Sequence, residues 1–410
     1  MSKILVVGGS LGGLLAANLL RSKGHEVDIL EKVSGSLEGR GAGIVPHPVL
    51  IKALKMVGVE IDYNLGIQVD HRVTLDKNGA LIADMELPQL FTSWGKLYHL
   101  LKENFPDKHY HSGKNVVHFD QDQESVTVCC EDGTSYKAEL LIASDGLRSA
   151  IRQITAPHIK PEYTGYVAWR GVCEESALSQ HMRDTLFNHF GFGLPEGEQM
   201  LGYPVAGNNN NLQVGQRRYN FVWYRQAPEN TILKELLTDA DGMFHPHGIS
   251  PVQVSWRHIA AVRAAAKKNL APQFAEVLEK TGMVFFQPIY DVFSEKVAFD
   301  RVALMGDASF VARPHVGMGV SKAAEDALSI LSNISQYGAT IKAFEQYQQD
   351  RLIPGQRVIA RARYLGKYMT AQGQEELKNN HIGIAQRVMR ETAIDISDLI
   401  MSDELIPENI

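Results

Sequence analysis

The stretch KILVVGGSLGGLLAANLLRSKGHEVDILEK, residues 3–32, decides the fold of the chain. Residues 4–7 are an apolar run typical of a buried parallel strand, residues 14–20 carry apolar side chains at helical spacing, and residues 27–30 predict a second buried strand. The glycine-rich turn GGSLGG therefore stands at the N-terminus of a helix between two strands. Backbone N–H groups at such a turn can bind a pyrophosphate, and an acid at the end of the second strand can bind a ribose hydroxyl. We expect a dinucleotide site here, with Glu31 as that acid; whether it holds NAD or FAD stays open.

The turn departs at one position from the GxGxxG pattern of dinucleotide-binding units. Ser10 stands where the pattern has its second glycine. Serine is small enough to let a phosphate approach the backbone closely. The alternative interpretation, a tight strand-to-helix turn that binds no ligand, is disfavoured by the complete strand–helix–strand context.

Composition excludes several functional classes. The chain has 410 residues, 44% of them hydrophobic and 21% charged, which is typical of a globular protein and predicts two closely packed domains. A net charge of −6 with no basic block gives no support for a nucleic-acid partner. The apolar runs fall short of the roughly 18 residues that a membrane span needs, and the N-terminus enters a strand where a signal peptide would stand.

Cysteine usage indicates the compartment. Cys129, Cys130 and Cys173 form neither a CxxC pair nor a Cys/His ligand spacing. Three sparse cysteines suit a reducing cytoplasm. We therefore expect a cytoplasmic protein without a metal site, a nucleic-acid partner or a membrane span, and homodimerisation stays open.

The pattern along the chain predicts two interleaved domains. Residues 1–164 and 291–372 carry the buried-strand and helix patterns of a Rossmann-like nucleotide-binding domain. Residues 165–290 contain aromatic-rich strands between polar loops, which predicts an inserted, mostly antiparallel β-sheet domain for the substrate. Helices follow on the C-terminal side, and we expect residues 373–410 to form a peripheral tail. The predicted fold class is α/β, or α+β when the inserted sheet is counted.

Two further motifs follow buried strands. Residues 145–152 read DGLRSAIR, and residues 306–319 read GDASFVARPHVGMG, with Asp326-Ala327 on the helix that follows. Asp307, at the end of its strand, can accept a hydrogen bond from a ligand hydroxyl. The segment Gly317 to Val320 opens a helix, so its backbone amides can stabilise negative charge on a reduced ring.

Together the three motifs resemble the signatures of the single-component, FAD-dependent aromatic hydroxylases of the para-hydroxybenzoate hydroxylase type. The family pattern DGxxSxxR is matched at each fixed position. The pattern GDAxHxxxPxxGxGxNxxxxDA is matched except that Phe310 replaces the histidine and Ser321 replaces the asparagine. The resemblance spans about residues 1–365.

Within the family the chain is similar to the hydroxylases of hydroxylated pyridines, the 2,6-dihydroxypyridine 3-monooxygenase group. That group has stretches like Gly165–Gly171 and Arg313–His315 and an aromatic residue at the position of Trp94. The resemblance implies an enzyme that binds FAD and reduces it with NADH or NADPH without a second Rossmann motif. The enzyme would then use O2, through a flavin C4a-hydroperoxide, to hydroxylate a small hydroxylated aromatic or N-heteroaromatic ring.

The resemblance also implies a set of cofactor-binding residues. The first strand–helix unit would bind the ADP end of FAD, and the second and third motifs would bind the remainder up to the isoalloxazine ring. The residues assigned to FAD are Gly8, Ser10, Leu11, Gly13, Glu31, Lys32, Arg40, Asp145, Asp307, Gly317, Met318, Gly319 and Val320. For Asp145 and Arg152 the alternatives are a structural clamp within the domain and a contact with the nicotinamide.

A base that removes a proton from a ring hydroxyl would activate the substrate. His315 lies in the third motif, His47 follows a glycine stretch that the family places beside the flavin, and Tyr203 ends an aromatic-rich strand. These three are the candidate catalytic residues, and for each the alternative is ordinary packing. Weaker candidates on the same sheet are Arg170, His189 and Tyr224.

Two other functions stay open. One is flavin-dependent oxidation or epoxidation of a larger substrate. The other is a non-catalytic, escort-type protein of the same fold that binds a partner protein. The intact Gly317 and Gly319 element argues against the second, since backbone amides at a flavin ring serve redox chemistry.

Overall fold

The computed structural model describes residues 1–35, 37, 43–369, 375 and 380–397. The strands are β1 Lys3–Val7, β2 Glu26–Glu31, β3 Gly43–Ile44, β4 Ile67–Leu75, β5 Leu81–Ser93, β6 Tyr110–Ser112, β7 Val116–Gln121, β8 Val126–Cys130, β9 Ser135–Ala138, β10 Leu140–Ala143, β11 Glu162–Glu174, β12 Phe190–Gly193, β13 Gln199–Val205, β14 Arg218–Gln226, β15 Phe285–Asp291, β16 Ala298–Phe299 and β17 Val302–Leu304. The helices are α1 Leu11–Arg21, α2 Pro48–Met56, α3 Trp94–Glu103, α4 Ala150–Thr155, α5 Gln180–Met182, α6 Lys234–Leu236, α7 Trp256–Asn269, α8 Pro272–Lys280, α9 Gly319–Tyr337, α10 Ile341–Gly366 and α11 His381–Glu391.

The first sheet forms the nucleotide-binding half of the molecule. Its strand order in the described chain is β16-β17-β10-β1-β2-β6, parallel except for the β16–β17 pair. The central strand β1 places Ile4 opposite Leu140 on one side and Val27 on the other. These apolar residues are fully buried because α1 and α9 cover one face of the sheet and the antiparallel sheet β7-β8-β9 covers the other.

The second sheet crosses the predicted domain boundary. Its order is β15-β11-β14-β13-β12-β4-β5-β3, and its pairs are antiparallel except for β12 with β4. Strands β4 and β5 come from residues that the sequence assigned to the first domain. Their own pattern could not show which sheet they join, because β4 pairs with a strand more than a hundred residues away, Phe190 opposite Arg72.

The expectation of a peripheral C-terminal tail is corrected for residues 380–397. Helix α11 buries Ile384, Ala385, Val388 and Met389 in the core cluster that also holds residues of β4 and β5. These four positions form one apolar stripe on a segment that is polar on average. The segment therefore belongs to the body of the molecule.

The mixed architecture confirms the predicted fold class, a Rossmann-like domain combined with a mostly antiparallel sheet and C-terminal helices. Across the described ranges, no helix is both long enough and apolar enough to cross a membrane.

Candidate active site

Two connected cavities lie where the sheets meet. The strand-end cleft, about 330 Å³, runs along the carboxyl ends of β1, β2 and β10, where ligands of doubly wound sheets bind. The sheet cavity, about 390 Å³, lies between the third motif and the large sheet. Residues common to both linings are Ser10, Trp94, Ser144 and Gly146, so the two spaces join there.

The glycine-rich turn forms one wall of the strand-end cleft. Gly8 has a φ of +100°, and a Cβ there would lie 2.3 Å from the Ser144 carbonyl oxygen, so glycine is required. Ser10 is the N-cap of α1, and within the described chain its side chain caps no backbone N–H. The first amides of α1 are therefore available to a pyrophosphate. Gly13 lines neither cavity. A Cβ at Gly13 would lie 1.9 Å from the Gly8 carbonyl oxygen.

Glu31 braces the same turn. Its carboxylate accepts hydrogen bonds from the N–H groups of Gly9 and Val33, each at 2.8 Å. Each oxygen keeps a further lone pair for a ligand hydroxyl, and Glu31 lines the strand-end cleft together with Lys32. Arg40, assigned to this end of the cofactor, lies outside the described residues.

Asp145 lines the strand-end cleft, and one of its carboxylate oxygens can accept a hydrogen bond from a ligand. Its Oδ2 accepts from the Ile151 N–H at 3.3 Å, whereas Oδ1 is buried without a hydrogen-bond partner in the described ranges. Burial raises the pKa of this carboxyl group. Arg152 instead is fully buried and donates to the Ala308 carbonyl at 2.9 Å. It thereby joins the second motif to the third.

The third motif forms one wall of the sheet cavity. Gly317, with a φ of +66°, ends the helical turn Pro314–Val316, and α9 begins two residues later. The N-cap Met318 gives no side-chain hydrogen bond to the first amides of α9, as far as the described residues go. The exposed helix end makes this wall electropositive. The predicted residues that line the cavity are Ser10, Leu11, Asp307, Gly317, Met318, Gly319, Val320 and Tyr203.

The peptide that carries Asp307 is held from behind by α9. Asp326 Oδ2 accepts from the Gly306 N–H at 2.9 Å, and the buried Lys322 donates to the Gly306 carbonyl at 2.6 Å. Arg351 in turn donates to the other oxygen of Asp326 at 2.8 Å. Sequence reasoning missed Lys322, whose one sequence signal is its position one helical turn before Asp326.

The opposite wall is one face of the large sheet. Val222 and Tyr224 of β14 line the cavity, while Phe221 and Trp223, which alternate with them, point into a separate core on the other face. Arg170 of β11 lies directly opposite Val222 in the strand pairing and lines the cavity too. Phe190 and Leu201 complete an apolar surface.

Three polar groups stand on this wall: Arg170, Tyr203 and Tyr224. Arg170 has no hydrogen bond or ion pair to the described residues, and its Nε is buried. The Tyr203 hydroxyl donates to the Gly43 carbonyl at 3.1 Å, and its ring stacks on Phe91 at 3.9 Å. Burial raises the pKa of Tyr203 to about 12 and also raises the pKa of Tyr224, so both hydroxyls are neutral near pH 7.

His315 does not reach the cavity wall. It is 1% exposed; its Nδ1 lies 2.9 Å from Gln199 Oε1 and its Nε2 lies 3.0 Å from the Tyr166 hydroxyl. Because the amide oxygen can only accept, Nδ1 donates to Gln199, and in the neutral ring Nε2 accepts from the Tyr166 hydroxyl. Burial and the charge of Arg313 lower the pKa of His315 to about 3. The ring packs 4.2 Å from that of Tyr224 and supports it.

His47 lies behind the Gly317 turn. It is the N-cap of α2 and 3% exposed, and burial lowers its pKa, while the Gly317 backbone and Asp395 act in the opposite direction. Its Nε2 has no hydrogen-bond partner in the part of the chain that the structure describes. The weaker candidate His189 stands away from both cavities, beside His71 at 6.4 Å between ring centres.

Sequence reasoning also missed Thr392 and Ala393, which line the sheet cavity. They follow α11, and the apolar stripe of that helix was the signal that could have indicated them.

The two joined cavities fit FAD. Uncapped N-termini of α1 and α9 lie at the strand-end cleft and the sheet cavity, where a pyrophosphate and an electron-rich ring would bind. The unpartnered Asp145 oxygen supplies an acceptor near their junction.

Comparisons with known proteins agree with this geometry. Residues 6–40 match the NAD(P)-binding Rossmann-like domain family, and residues 163–291 match the FAD binding domain-like family. The chain is 29% identical to 2,6-dihydroxypyridine 3-monooxygenase of Paenarthrobacter nicotinovorans, over 92% of this chain and 94% of that protein. It is 26% identical to 6-hydroxynicotinate 3-monooxygenase of Pseudomonas fluorescens, over 85% and 87%. The structure of 2,6-dihydroxypyridine-3-hydroxylase from Arthrobacter nicotinovorans superposes with a TM-score of 0.85 at 28% identity, covering 90% of this chain and 93% of that one.

These similarities confirm the resemblance drawn from the three motifs, FAD as the cofactor and an enzyme of the hydroxylase class. Over most of its length the chain is similar to the single-component, FAD-dependent aromatic hydroxylases.

Proposed function

We propose that this enzyme uses NADH or NADPH and O2 to hydroxylate a small hydroxylated aromatic or N-heteroaromatic ring of the hydroxypyridine type. The proposal rests on the polar trio Arg170, Tyr203 and Tyr224, which shares an otherwise apolar cavity with the Gly317 turn. Two relatives named for hydroxylated pyridine rings support the ring class. When bound, FAD supplies the redox chemistry: two electrons from the reductant let O2 give one oxygen atom to the ring and one to water.

The trio suits a ring that carries both an ionised and a protonated polar group. Arg170, whose Nε is unpartnered in the described chain, can pair with an oxygen anion, and the Tyr224 hydroxyl of the same cavity can donate to the same oxygen. Tyr203 already donates to Gly43, so its oxygen is left to accept from a ring O–H or N–H. Holding the ring as an anion makes it electron-rich, which favours attack by an electrophilic oxygen.

The three candidate catalytic residues then have different roles. Tyr203 contacts the substrate. His315 positions Tyr224 and takes no proton, because its ring is neutral and both nitrogens are engaged. His47 lines neither cavity, but it is left as the candidate proton acceptor because its Nε2 is unpartnered in the described chain and it lies next to the Gly317 turn.

The reductant needs its own approach to the flavin, because the sequence carries a single Rossmann motif. A third space of about 320 Å³, the side cleft, is lined by Arg148, His247 and Tyr290. Its lining shares Asp307, Ala312 and Pro314 with the sheet cavity. Arg148 Nη1 lies 2.7 Å from His247 Nδ1, so a guanidinium and an imidazole are together available to the phosphates of NADH or NADPH.

The test is oxidation of NADH or NADPH by the FAD-loaded enzyme with a panel of hydroxypyridines and phenols, with labelled O2 and analysis of the product. We expect one labelled oxygen in the ring. Arg170→Met should lower kcat/KM roughly 10- to 100-fold with FAD affinity unchanged, because one charge-assisted hydrogen bond is lost. Arg170→Lys, which keeps the charge, should lose less. A product without label, or an Arg170→Met enzyme equal to wild type, contradicts the proposal.

A further inference from the structure

The C-terminal strap, residues 380–397, covers the Gly317 turn. Thr392 and Ala393 line the sheet cavity, and the Ala393 N–H donates to the His315 carbonyl at 3.1 Å. Ala393 holds a φ of +53°, which is uncommon for alanine and indicates a conformation imposed by its surroundings. A Cβ on Gly317 would lie 2.7 Å from the Ala393 side chain. The strap is therefore in close contact with the turn.

One side chain fastens the strap to the large sheet. Arg72 of β4 is 1% exposed, and its Nη1 donates to the carbonyls of Met389 at 2.5 Å and Thr392 at 2.6 Å. These carbonyls belong to the last turn and C-cap of α11, where no helical N–H reaches them and the helix dipole is negative. The other nitrogen, Nη2, donates to Gln89.

The position of Arg72 is unusual for a buried cation. No carboxylate among the described residues pairs with it; carbonyl groups and the Phe190 ring, 5.0 Å away, surround it. Burial accordingly lowers the pKa of Arg72 to about 10, which still leaves it charged at neutral pH. Phe190 also lines the sheet cavity, so one guanidinium contacts both the strap and the wall that the large sheet forms.

We propose that Arg72 is a positioning residue that holds the strap closed over the sheet cavity and so keeps water away from flavin and substrate. Its consequence for turnover, the share of electrons that reaches the ring, rests on the proposed function. In a closed, dry site the ring, one O2, two protons and the two electrons of NADH or NADPH give one hydroxylated product and one water. With the strap loosened, the same two electrons, with two protons, reduce O2 to H2O2 and the ring stays unchanged.

The test compares Arg72→Met with Arg301→Met. Arg301 is a matched control, because it is also buried and also donates to two backbone carbonyls far from the strap, those of Glu139 at 2.9 Å and of Gln123. We expect hydrogen–deuterium exchange of residues 381–393 to become roughly tenfold faster in Arg72→Met and to stay unchanged in Arg301→Met. Iodide should quench FAD fluorescence more strongly in Arg72→Met, and H2O2 formed per NADH oxidised should rise in that variant alone. Arg72→Lys, which keeps the charge but loses the planar fork, should lie between, and it replaces Arg72→Met if that variant does not fold.

The outcomes separate this proposal from the proposed function. Faster exchange of the strap and greater iodide access in the Arg72 variants support the anchoring role even if no substrate is hydroxylated. Equal exchange in the Arg72 and Arg301 variants overturns it, whatever the turnover. If exchange is faster while H2O2 per NADH stays at the wild-type value during hydroxylation, Arg72 anchors the strap but does not control water, and the proposal is also overturned.

Discussion

The strand-end cleft and the sheet cavity would bind the two ends of one cofactor by different means. The strand-end cleft offers mainly backbone, with the glycine turn, the first amides of α1 and the Asp145 carboxylate drawn from short motifs. The sheet cavity offers side chains from strands far apart in sequence, together with Thr392 and Ala393 of the strap. Recognition by backbone is set locally, whereas recognition by side chains depends on strand register. Substitutions should therefore affect the two spaces independently.

The largest effect on one cavity alone is expected from Ser10→Asp, which changes the strand-end cleft. Aspartate is at least as good an N-cap as serine, so the apoprotein should be as stable as wild type or more so. In the strand-end cleft the new carboxylate would face the pyrophosphate, and a like-charge contact near 4 Å costs about 4 kcal/mol at a partly buried site. FAD affinity should fall roughly 100- to 1,000-fold. Fluorescence titration of the apoprotein with FAD and thermal unfolding measure the two effects.

Ser10→Gly is the control for that experiment. It restores the glycine pattern and adds no charge, so FAD should bind as in wild type. If Ser10→Asp bound FAD with wild-type affinity, the α1 N-terminus would not hold the pyrophosphate. Recognition by backbone in the strand-end cleft would then be contradicted.

A smaller effect is expected on the side of the sheet cavity, from His315→Gln. The folded pKa of about 3 lies below the ordinary value of 6.5, so between these values the unfolded chain binds a proton that the folded chain does not. Stability should therefore fall as the pH drops through 6.5 toward 3. Between pH 7.5 and pH 5 the loss is about 2 kcal/mol, at 1.36 kcal/mol per pH unit. In His315→Gln the loss of stability between the two pH values should be smaller by that amount, as urea unfolding at the two pH values would show.

His99→Gln serves as its control, because His99 is exposed on α3 beside Glu103. It should keep the full acid sensitivity of the wild type. If His315→Gln kept that sensitivity as well, the neutral, buried ring described for His315 would be incorrect.

The difference between the two cavities also explains which of their features could be predicted from the sequence. The turn at Gly8, the acid Glu31 and the Asp307 strand end were predictable because each is a local backbone geometry with its own residue pattern. Membership of β4 in the large sheet was not, because it depends on pairing with β12, and neither was the strap, whose apolar stripe lies within a polar segment. His315 was assigned to acid–base chemistry since its motif approaches the flavin, but the direction of a side chain depends on contacts such as Gln199 that no motif encodes.

The smallest and most specific effect is expected from Tyr203→Phe. The change removes one neutral hydrogen-bonding group from the sheet cavity while the ring stays stacked on Phe91, so kcat/KM should fall by about 3- to 10-fold and FAD affinity should not change. Because burial holds the pKa of Tyr203 near 12, the hydroxyl does not ionise below pH 10, and the pH profile of kcat/KM from 6 to 10 should keep its shape. Phe91→Leu, which removes the stacking partner and keeps the hydroxyl, gives the comparison that isolates the hydrogen bond from the packing. If a limb of the pH profile vanished in Tyr203→Phe, Tyr203 would be shown to ionise. The acid–base role would then belong to Tyr203 on the large sheet.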